Sequence, residues 1–330
     1  MGKFLEEEKK RYISLIETTN IFDRQAKNGG IYRGKVRPFC LPREKSDHNI
    51  FEMIREKVKE YFKRYDIKWH DAINGNPSNH LCDSQICCIN FLFPFTDKPE
   101  AIKELLKPLY PNIKKMLPME DDYYVAFEWI GMHDYLEEMK MRNNKKRNRG
   151  ANCTSADAAV RFELDDGSIQ IVLIEWKYTE SYYSTPLKTA KSGRARTKIY
   201  EPFYLKDDCP LNKTMIADFK NLFFNPFYQL MRQQFLAHEM KLNCELGANM
   251  VSVLHLAPQA NKDFKRVTSP AFKPYGDSAM EVWSELTKGK GIFLSQSIEK
   301  IFLGRELKDF SSLSPWYQYI SERYSWENHN

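Results

Sequence analysis

The feature of this chain that most constrains its fold is a pair of apolar segments separated by a tight turn signal. Residues 155–164 and 169–178 are rich in β-branched and apolar side chains, and Asp165-Asp166-Gly167 stands between them. This pattern predicts a β-hairpin whose three-residue loop is a type I turn followed by glycine in the left-handed region. A two-residue turn is the alternative, but it would shift the register by one residue and mix the two faces.

The three-residue loop predicts which side chains face each other. It pairs Asp157 with Glu175 on one face and places Lys177 one step further along the second strand. Facing carboxylates destabilise a sheet unless a cation lies between them. Their oxygens, the main-chain carbonyl of Trp176 and water suit octahedral Mg²⁺. The opposite face is then apolar, with the members Ala158, Val160, Phe162, Val172 and Ile174.

The same side chains carry the chemistry of phosphodiester hydrolysis. A metal held by Asp157 and Glu175 would lower the pKa of a bound water and neutralise charge on the scissile phosphate. Lys177 would orient that water or stabilise the pentavalent phosphorane. The alternative is a structural salt bridge between two strands.

Asp157, followed at strand–turn–strand spacing by Glu175-Trp176-Lys177, resembles the PD-(D/E)XK nuclease superfamily. More narrowly, the chain resembles a bacterial group of restriction endonucleases within it. Residue 156 is Ala rather than the Pro of the superfamily name. The resemblance implies an α/β fold with a mixed central sheet flanked by helices and an N-terminal helical extension. The segments that carry it are 80–94, 149–162, 173–180 and 224–240.

The resemblance also implies two further catalytic residues. The superfamily often adds an acidic residue from the helix before the core, and Glu138 is the best match, ahead of Glu128 and Glu137. A glutamine on the helix after the second strand lies near the active site of related nucleases. We assign that position to Gln229, with Gln233 one helical turn away.

Two basic clusters flank this segment, and we expect them to contact the DNA backbone on either side of the cleavage point. Solvated surface charge is the alternative for each of these residues. The net charge of +6 is too small to decide between the two. The expected contacts are Lys145, Lys146, Arg147, Arg149, Arg194 and Arg196.

Hydrophobic periodicity predicts the other elements. Residues 87–93 are apolar throughout and fit a buried helix or a buried strand. We expect a single nuclease domain over 1–330, with a mainly helical part (1–120), a catalytic core (121–260) and a C-terminal extension (261–330). Helices are predicted over 46–65, 98–117, 133–147 and 225–242, and strands over 123–130 and 249–256.

Composition excludes several classes of protein. With 42% apolar and 14% aromatic residues, the chain can bury a core and is not disordered. No apolar run approaches the ~20 residues of a membrane span, and the opening residues lack the apolar stretch of a secretory signal. The seven cysteines form no CxxC motif, so we expect reduced, mostly buried thiols in a cytoplasmic protein.

Together these observations predict a Mg²⁺-dependent DNA endonuclease of the type II restriction class, part of a restriction-modification system, with Mn²⁺ as a substitute metal. Cutting both strands requires two active sites, so we expect a homodimer. One alternative is a repair, recombination or other defence nuclease of the same fold that acts on single-stranded DNA or RNA. The other is an inactive nuclease-like DNA-binding protein.

Overall fold

The computed structural model describes residues 2–22, 24–72, 75–140, 146–190, 193, 195–303 and 311–326. The helices are α1 (Lys3–Thr18), α2 (Arg55–Arg64), α3 (Ser84–Leu92), α4 (Pro99–Leu106), α5 (Thr197–Leu205), α6 (Phe227–Leu242), α7 (Ala279–Leu286) and α8 (Ser314–Arg323). The strands are β1 (Gly30–Tyr32), β2 (Lys35–Arg37), β3 (Ile113–Leu117), β4 (Val125–Trp129), β5 (Ala156–Leu164), β6 (Ile169–Trp176), β7 (Met250–Ala257) and β8 (Phe293–Ser297).

The central sheet is mixed. β5 pairs antiparallel with β6 on one side and, in succession along its length, with β3 and β4 on the other. β7 and β8 continue the sheet from β6 in parallel. Parallel neighbours need a crossover between them, and here α5 and α6 connect β6 to β7 while α7 connects β7 to β8. β1 and β2 form a separate small hairpin.

The hairpin of β5 and β6 has the predicted loop. The Leu164 N–H donates to the Ser168 carbonyl at 2.8 Å, and the Gly167 N–H donates to the Leu164 carbonyl at 2.9 Å. Gly167 has a φ of +84°, which glycine adopts without the steric penalty of a Cβ atom. Ala158 pairs with Ile174, as the three-residue loop requires. The loop type and the register are therefore confirmed.

The sheet separates two apolar clusters. Val160 and Val172 face a cluster formed with α1, α2, α3, α4 and α8. Ala159 and Leu173 face a second cluster formed with α5, α6 and α7. Because both faces are covered, β6 is apolar along almost its whole length, and a charged side chain at its end is exceptional.

Several predicted elements are confirmed. The helix over 225–242 is α6, the strands over 123–130 and 249–256 are β4 and β7, and the ambiguous segment 87–93 is helical up to the end of α3 at Leu92. The helix over 46–65 is confirmed in its second half, as α2. The helix over 98–117 is predicted with an interruption near Pro108 and Pro111; α4 does end there, at Leu106, but the chain continues as the strand β3 from Ile113 rather than as helix.

The helix predicted over 133–147 is wrong for the described residues 133–140. The Asp134 carboxylate accepts the main-chain N–H of Met139 at 3.0 Å, and Glu137 has a φ of +51°. A short polar side chain that bonds to its own backbone in this way competes with helix formation. The segment is therefore a series of turns.

The sheet extends beyond the 121–260 range that we expected for the core. β3 precedes that range, β8 follows it, and α1 was not predicted at all. In the part of the chain that is described, no helix combines the length and apolar character needed to cross a bilayer. The seven cysteines are free thiols, with Cys244 exposed, Cys153 half-buried and the others buried.

Candidate active site

One row of polar side chains crosses five neighbouring strands. Extending the β5–β6 pairing by one residue puts Asp157 opposite Glu175, and the β4 register puts Glu128 on the other side of Asp157. Beyond Glu175, His255 of β7 and then Ser295 of β8 continue the row. Its three carboxylates, Glu128, Asp157 and Glu175, are called the acidic row below.

Asp157 lies at the centre of the acidic row and keeps partial contact with solvent. Its Oδ2 accepts the main-chain N–H of Trp176 at 2.7 Å. Loss of hydration and the charge of Glu175 raise the pKa of Asp157 well above its usual value, although Lys177 acts in the opposite direction. Without a further cation, this carboxyl group holds its proton more tightly than an exposed aspartic acid does.

Glu175 and Lys177 form a buried ion pair, with 2.5 Å between Lys177 Nζ and Glu175 Oε1. Burial opposes the charge on Lys177, but the Glu175 carboxylate outweighs it and the pKa of the ammonium is raised. Lys177 therefore remains protonated at neutral pH. The other oxygen of Glu175, Oε2, accepts the side-chain amide of Gln233 at 2.9 Å.

Glu128 brings a third carboxylate from β4. Its two oxygens accept the Gln85 amide at 2.7 Å and the Ser155 hydroxyl at 2.8 Å. Burial, together with the charge of Glu175, raises the pKa of Glu128. Its φ of +49° interrupts the pairing of β4 with β5, and such strained backbone clusters at functional sites.

Glu138 lies beside the acidic row rather than within it. Its carboxylate accepts the Thr154 N–H and the Tyr200 hydroxyl, each at 2.6 Å, and the Thr154 hydroxyl at 2.9 Å. Among the described residues, its remaining charged neighbour is Arg232, at 3.8 Å. The structure thus places Glu128, rather than Glu138, beside Asp157, and the catalytic role expected of Glu138 stays a prediction.

The glutamine that reaches the acidic row is Gln233. Its amide donates both to Glu175 and to the main-chain carbonyl of Ser155. Gln229, the residue that we had assigned, accepts the Tyr182 hydroxyl at 2.7 Å, one helical turn away. Helical spacing places both glutamines on one face of α6, and only the position of the helix over the sheet distinguishes them.

Two of the predicted DNA-contacting arginines hold the protein's own backbone. Arg149 is buried, donates to the Phe127 carbonyl and forms an ion pair with Glu120. Arg147 donates to four successive main-chain carbonyls over residues 130–133. In this structure the buried guanidinium of Arg149 is held by protein groups, so its burial does not support the predicted DNA contact.

The other basic residues are less restricted. The Lys146 side chain is 80% exposed and lies 3.3 Å from Asp66. Arg196 is half-buried and donates to the Leu187 carbonyl. Their DNA contacts stay predictions, and Lys145 and Arg194 lie outside the described residues.

His255 is almost fully buried and lies next to Glu175 on the sheet. Its Nδ1 is 3.1 Å from the Ser295 hydroxyl. Burial and the nearby Lys177 lower its pKa to about 3, so its imidazole is neutral. His255 is therefore a buried core histidine rather than a catalytic base.

The oxygens of the acidic row fit a hard divalent cation. Within the described ranges, no three His, Cys, Asp or Glu side chains form a ready-made metal cage. Mg²⁺ does not need one, since it commonly uses one or two carboxylates together with waters and substrate phosphate. Asp157 and Glu175 face each other, and burial together with the charge of Glu175 raises the pKa values of Asp157 and Glu128, which a bound cation would lower.

A mixed sheet flanked by helices, with carboxylates and a lysine at one hairpin end, is compatible with a nuclease-like fold. Residues 17–325 match the family described as restriction endonuclease associating with ARP, and the chain therefore belongs to that restriction-endonuclease family. No curated protein and no solved structure matches the chain.

Proposed function

We propose that this family member is a Mg²⁺-dependent DNA endonuclease with a PD-(D/E)XK type of active site. The observation that supports this proposal best is the position of Asp157 opposite Glu175, with Lys177 paired to Glu175 at 2.5 Å. A structural salt bridge needs only one carboxylate for the lysine. Three carboxyl groups side by side on neighbouring strands are expensive to bury, and a cation bound between Asp157 and Glu175 would offset that cost.

In this proposal Asp157, Glu175 and the Trp176 carbonyl would hold the metal, which would supply an acidified water and offset charge on the phosphate. Lys177 donates hydrogen bonds to the attacking water and to the charge that develops on the phosphorane. The water oxygen bonds to phosphorus in line as the bond to the leaving oxygen breaks; the water releases its proton to solvent, and the leaving oxygen takes up a proton from solvent. Gln233 and Ser155 orient Glu175 and Glu128 from behind.

Incubating a plasmid with the protein, in Mg²⁺ and separately in EDTA, tests this function. We expect discrete fragments in Mg²⁺ and in Mn²⁺, intact plasmid in EDTA, and no cutting by Asp157→Asn. Lys114→Gln is a matched control, because Lys114 lies near the loop end of the hairpin, bonded to Glu163. Equal cutting by wild type and Asp157→Asn would refute the proposed site.

Cutting both strands at one position requires two active sites, and we propose a homodimer for that reason. Light scattering, with and without duplex DNA, measures the molar mass and therefore the number of subunits. A monomer that nicks one strand at a time would contradict the proposed dimer but would not contradict the proposed active site.

A second candidate is a nuclease of the same fold that acts on single strands in repair, recombination or defence. The contact between Gln233 and Glu175 favours it, because a glutamine on this helix is a feature of such relatives of the fold. Cleavage rates on matched single-stranded and duplex oligonucleotides separate the two candidates. Binding without cleavage on either substrate would instead favour the inactive DNA-binding alternative.

A further inference from the structure

Two neighbouring residues of α6 hold the chain where it enters β5. Gln233 donates to the Ser155 carbonyl and to Glu175. Arg232 donates through its Nε to the Thr154 hydroxyl at 2.9 Å. The Arg232 guanidinium therefore lies near the acidic row, since it contacts Thr154, three residues before Asp157, and is next in sequence to Gln233, which contacts Glu175.

Arg232 is only loosely neutralised. Its Nη2 is 3.8 Å from Glu138, whose oxygens already accept hydrogen bonds from Thr154 and Tyr200. Among the described residues, no protein oxygen accepts a hydrogen bond from its terminal nitrogens, and 24% of the side chain is exposed. Arginine has five N–H donors in a fixed plane, so most of them remain for a ligand.

A second arginine contacts the same aromatic ring. The Cζ atoms of Arg232 and Arg196 lie 5.4 and 5.3 Å from the centre of the Tyr228 ring. Arg196 donates one hydrogen bond, from Nη1 to the Leu187 carbonyl at 3.2 Å. Two guanidiniums around one ring repel each other, and an anion bound at their free edges removes that repulsion.

We propose that Arg232 and Arg196, supported by the Tyr228 ring, bind a backbone phosphate of the nucleic acid next to the one that is cleaved. This inference rests on the proposed nuclease function. The planar fork of arginine matches two phosphate oxygens, and stacking on an aromatic ring fixes its plane. Glu138 is then a positioning residue that orients Arg232 through Thr154, which accounts for a buried carboxylate beside the acidic row.

Binding to labelled duplex DNA of mixed sequence, titrated with salt in EDTA so that no cleavage occurs, tests this site. Arg232→Gln and Arg196→Gln should each weaken binding about fivefold to tenfold, irrespective of sequence. Each should reduce the slope of log affinity against log salt by about one unit. Lys114→Gln removes the same charge from a distant, exposed position and should change both quantities much less.

Arg232→Lys keeps the charge but not the fork, so it should retain the salt slope and lose affinity. Arg232→Lys also tests the phosphate site if Arg232→Gln does not fold. An affinity of Arg232→Lys equal to that of the wild type would overturn the site. If Arg232→Gln and Arg196→Gln have the same affinities and salt slopes as Lys114→Gln, the phosphate site is overturned. The proposed nuclease function would survive that result as long as the wild type cuts DNA in Mg²⁺. A wild type that binds no DNA would overturn both proposals.

Discussion

Two buried groups of charged residues meet at the end of β6 and differ in how fully their charged groups are hydrogen-bonded within the protein. One is the acidic row, with Lys177 as its ammonium. The other begins at the next residue, Tyr178, and joins both ends of the chain. We call this second group the terminal clamp; its members are Glu8, Arg11, Tyr178, Arg323 and Trp326.

The charged groups of the terminal clamp are matched by partners. Glu8 is completely buried, and its two oxygens accept hydrogen bonds from Arg11 at 2.7 Å, from the Trp326 indole at 3.1 Å and from the Tyr178 hydroxyl. Arg323, also completely buried, donates to Tyr319 at 2.6 Å and to the side chain and backbone of Asn49. Hydrogen-bond donors and acceptors are thus paired between α1, the segment that follows β6, and the C-terminal part of α8 with the residues after it.

Burial raises the pKa values of Asp157 and Glu128 in the acidic row, and the charge of Glu175 raises them further. A buried cluster holds the chain together once every charged group has hydrogen-bond partners. Burying several carboxyl groups side by side costs stability, and a bound cation offsets that cost. The comparison therefore supports a structural role for the terminal clamp and the proposed metal-binding role for the acidic row.

The largest effect should come from the acidic row itself. Asp157→Asn and Lys177→Met should each reduce cleavage by about a thousandfold or more, since each removes a group that acts on the reacting phosphate. Their stabilities should differ, because Asp157→Asn relieves repulsion whereas Lys177→Met leaves Glu175 without its cation. Cleavage rates in Mg²⁺ and urea unfolding measure both quantities. Near-wild-type cleavage by Lys177→Met would contradict the role given to this lysine.

Glu8→Ala should give the next largest effect, on stability rather than on chemistry. Removing one partner of a buried ion pair leaves Arg11 buried without its carboxylate, which costs about 3–5 kcal/mol of unfolding free energy. Glu7→Ala is the matched control on the same helix, since Glu7 is exposed and lies 3.6 Å from Lys3, and it should cost less than about 0.5 kcal/mol. Equal effects of the two substitutions in urea unfolding would contradict the terminal clamp.

A smaller effect should separate the two glutamines of α6. Gln233→Leu removes a hydrogen bond to Glu175 and should reduce cleavage about tenfold, as the loss of an orienting group does. Gln229→Leu removes only a contact with Tyr182 and should change cleavage less than about threefold. The ratio of the two rates is the measurement, and a greater loss in Gln229→Leu would reverse the assignment made here.

The smallest effect should come from an ion pair outside both groups, formed by the exposed His70 and the buried Asp83. A hydrogen bond from His70 to Asp83 at 2.8 Å raises the pKa of His70 from 6.5 to about 9. Its stabilisation is therefore complete below pH 6.5 and lost as the pH rises through about 9. The His70 side chain is 63% exposed, so solvent screening keeps the contribution below about 1 kcal/mol. The free energies of unfolding of wild type and His70→Gln, measured across this pH range, should become equal at its alkaline end.

The sequence was most informative where the structure depends on nearby residues. The hairpin register follows from Asp165-Asp166-Gly167 and the alternation of the two strands, and it brings Asp157 opposite Glu175 without information from elsewhere in the chain. Glu128 could not be chosen over Glu138 in the same way. That choice depends on how β4 pairs with β5 and on a left-handed residue within β4.

Long-range burial explains the other differences. Arg149 looked like one of a run of exposed basic residues, but Glu120 and the β4 backbone enclose it. Glu8 and Arg11 lie in a helix rich in charged residues, where burial depends on Trp326, which is 318 positions away from Glu8. Periodicity within one segment contains no information about such partners.

The proposed function depends most on the binding of a divalent cation at the acidic row of the folded protein. Thermal unfolding of wild type and Asp157→Asn, in EDTA and in Mg²⁺ without DNA, tests it most directly. We expect Mg²⁺ to raise the midpoint of wild type by about 2–4 °C for each kcal/mol of binding and to leave Asp157→Asn unchanged. In EDTA the variant should be at least as stable as wild type. A variant that is less stable in EDTA, with the same response to Mg²⁺ as wild type, would show that Asp157 is a structural residue.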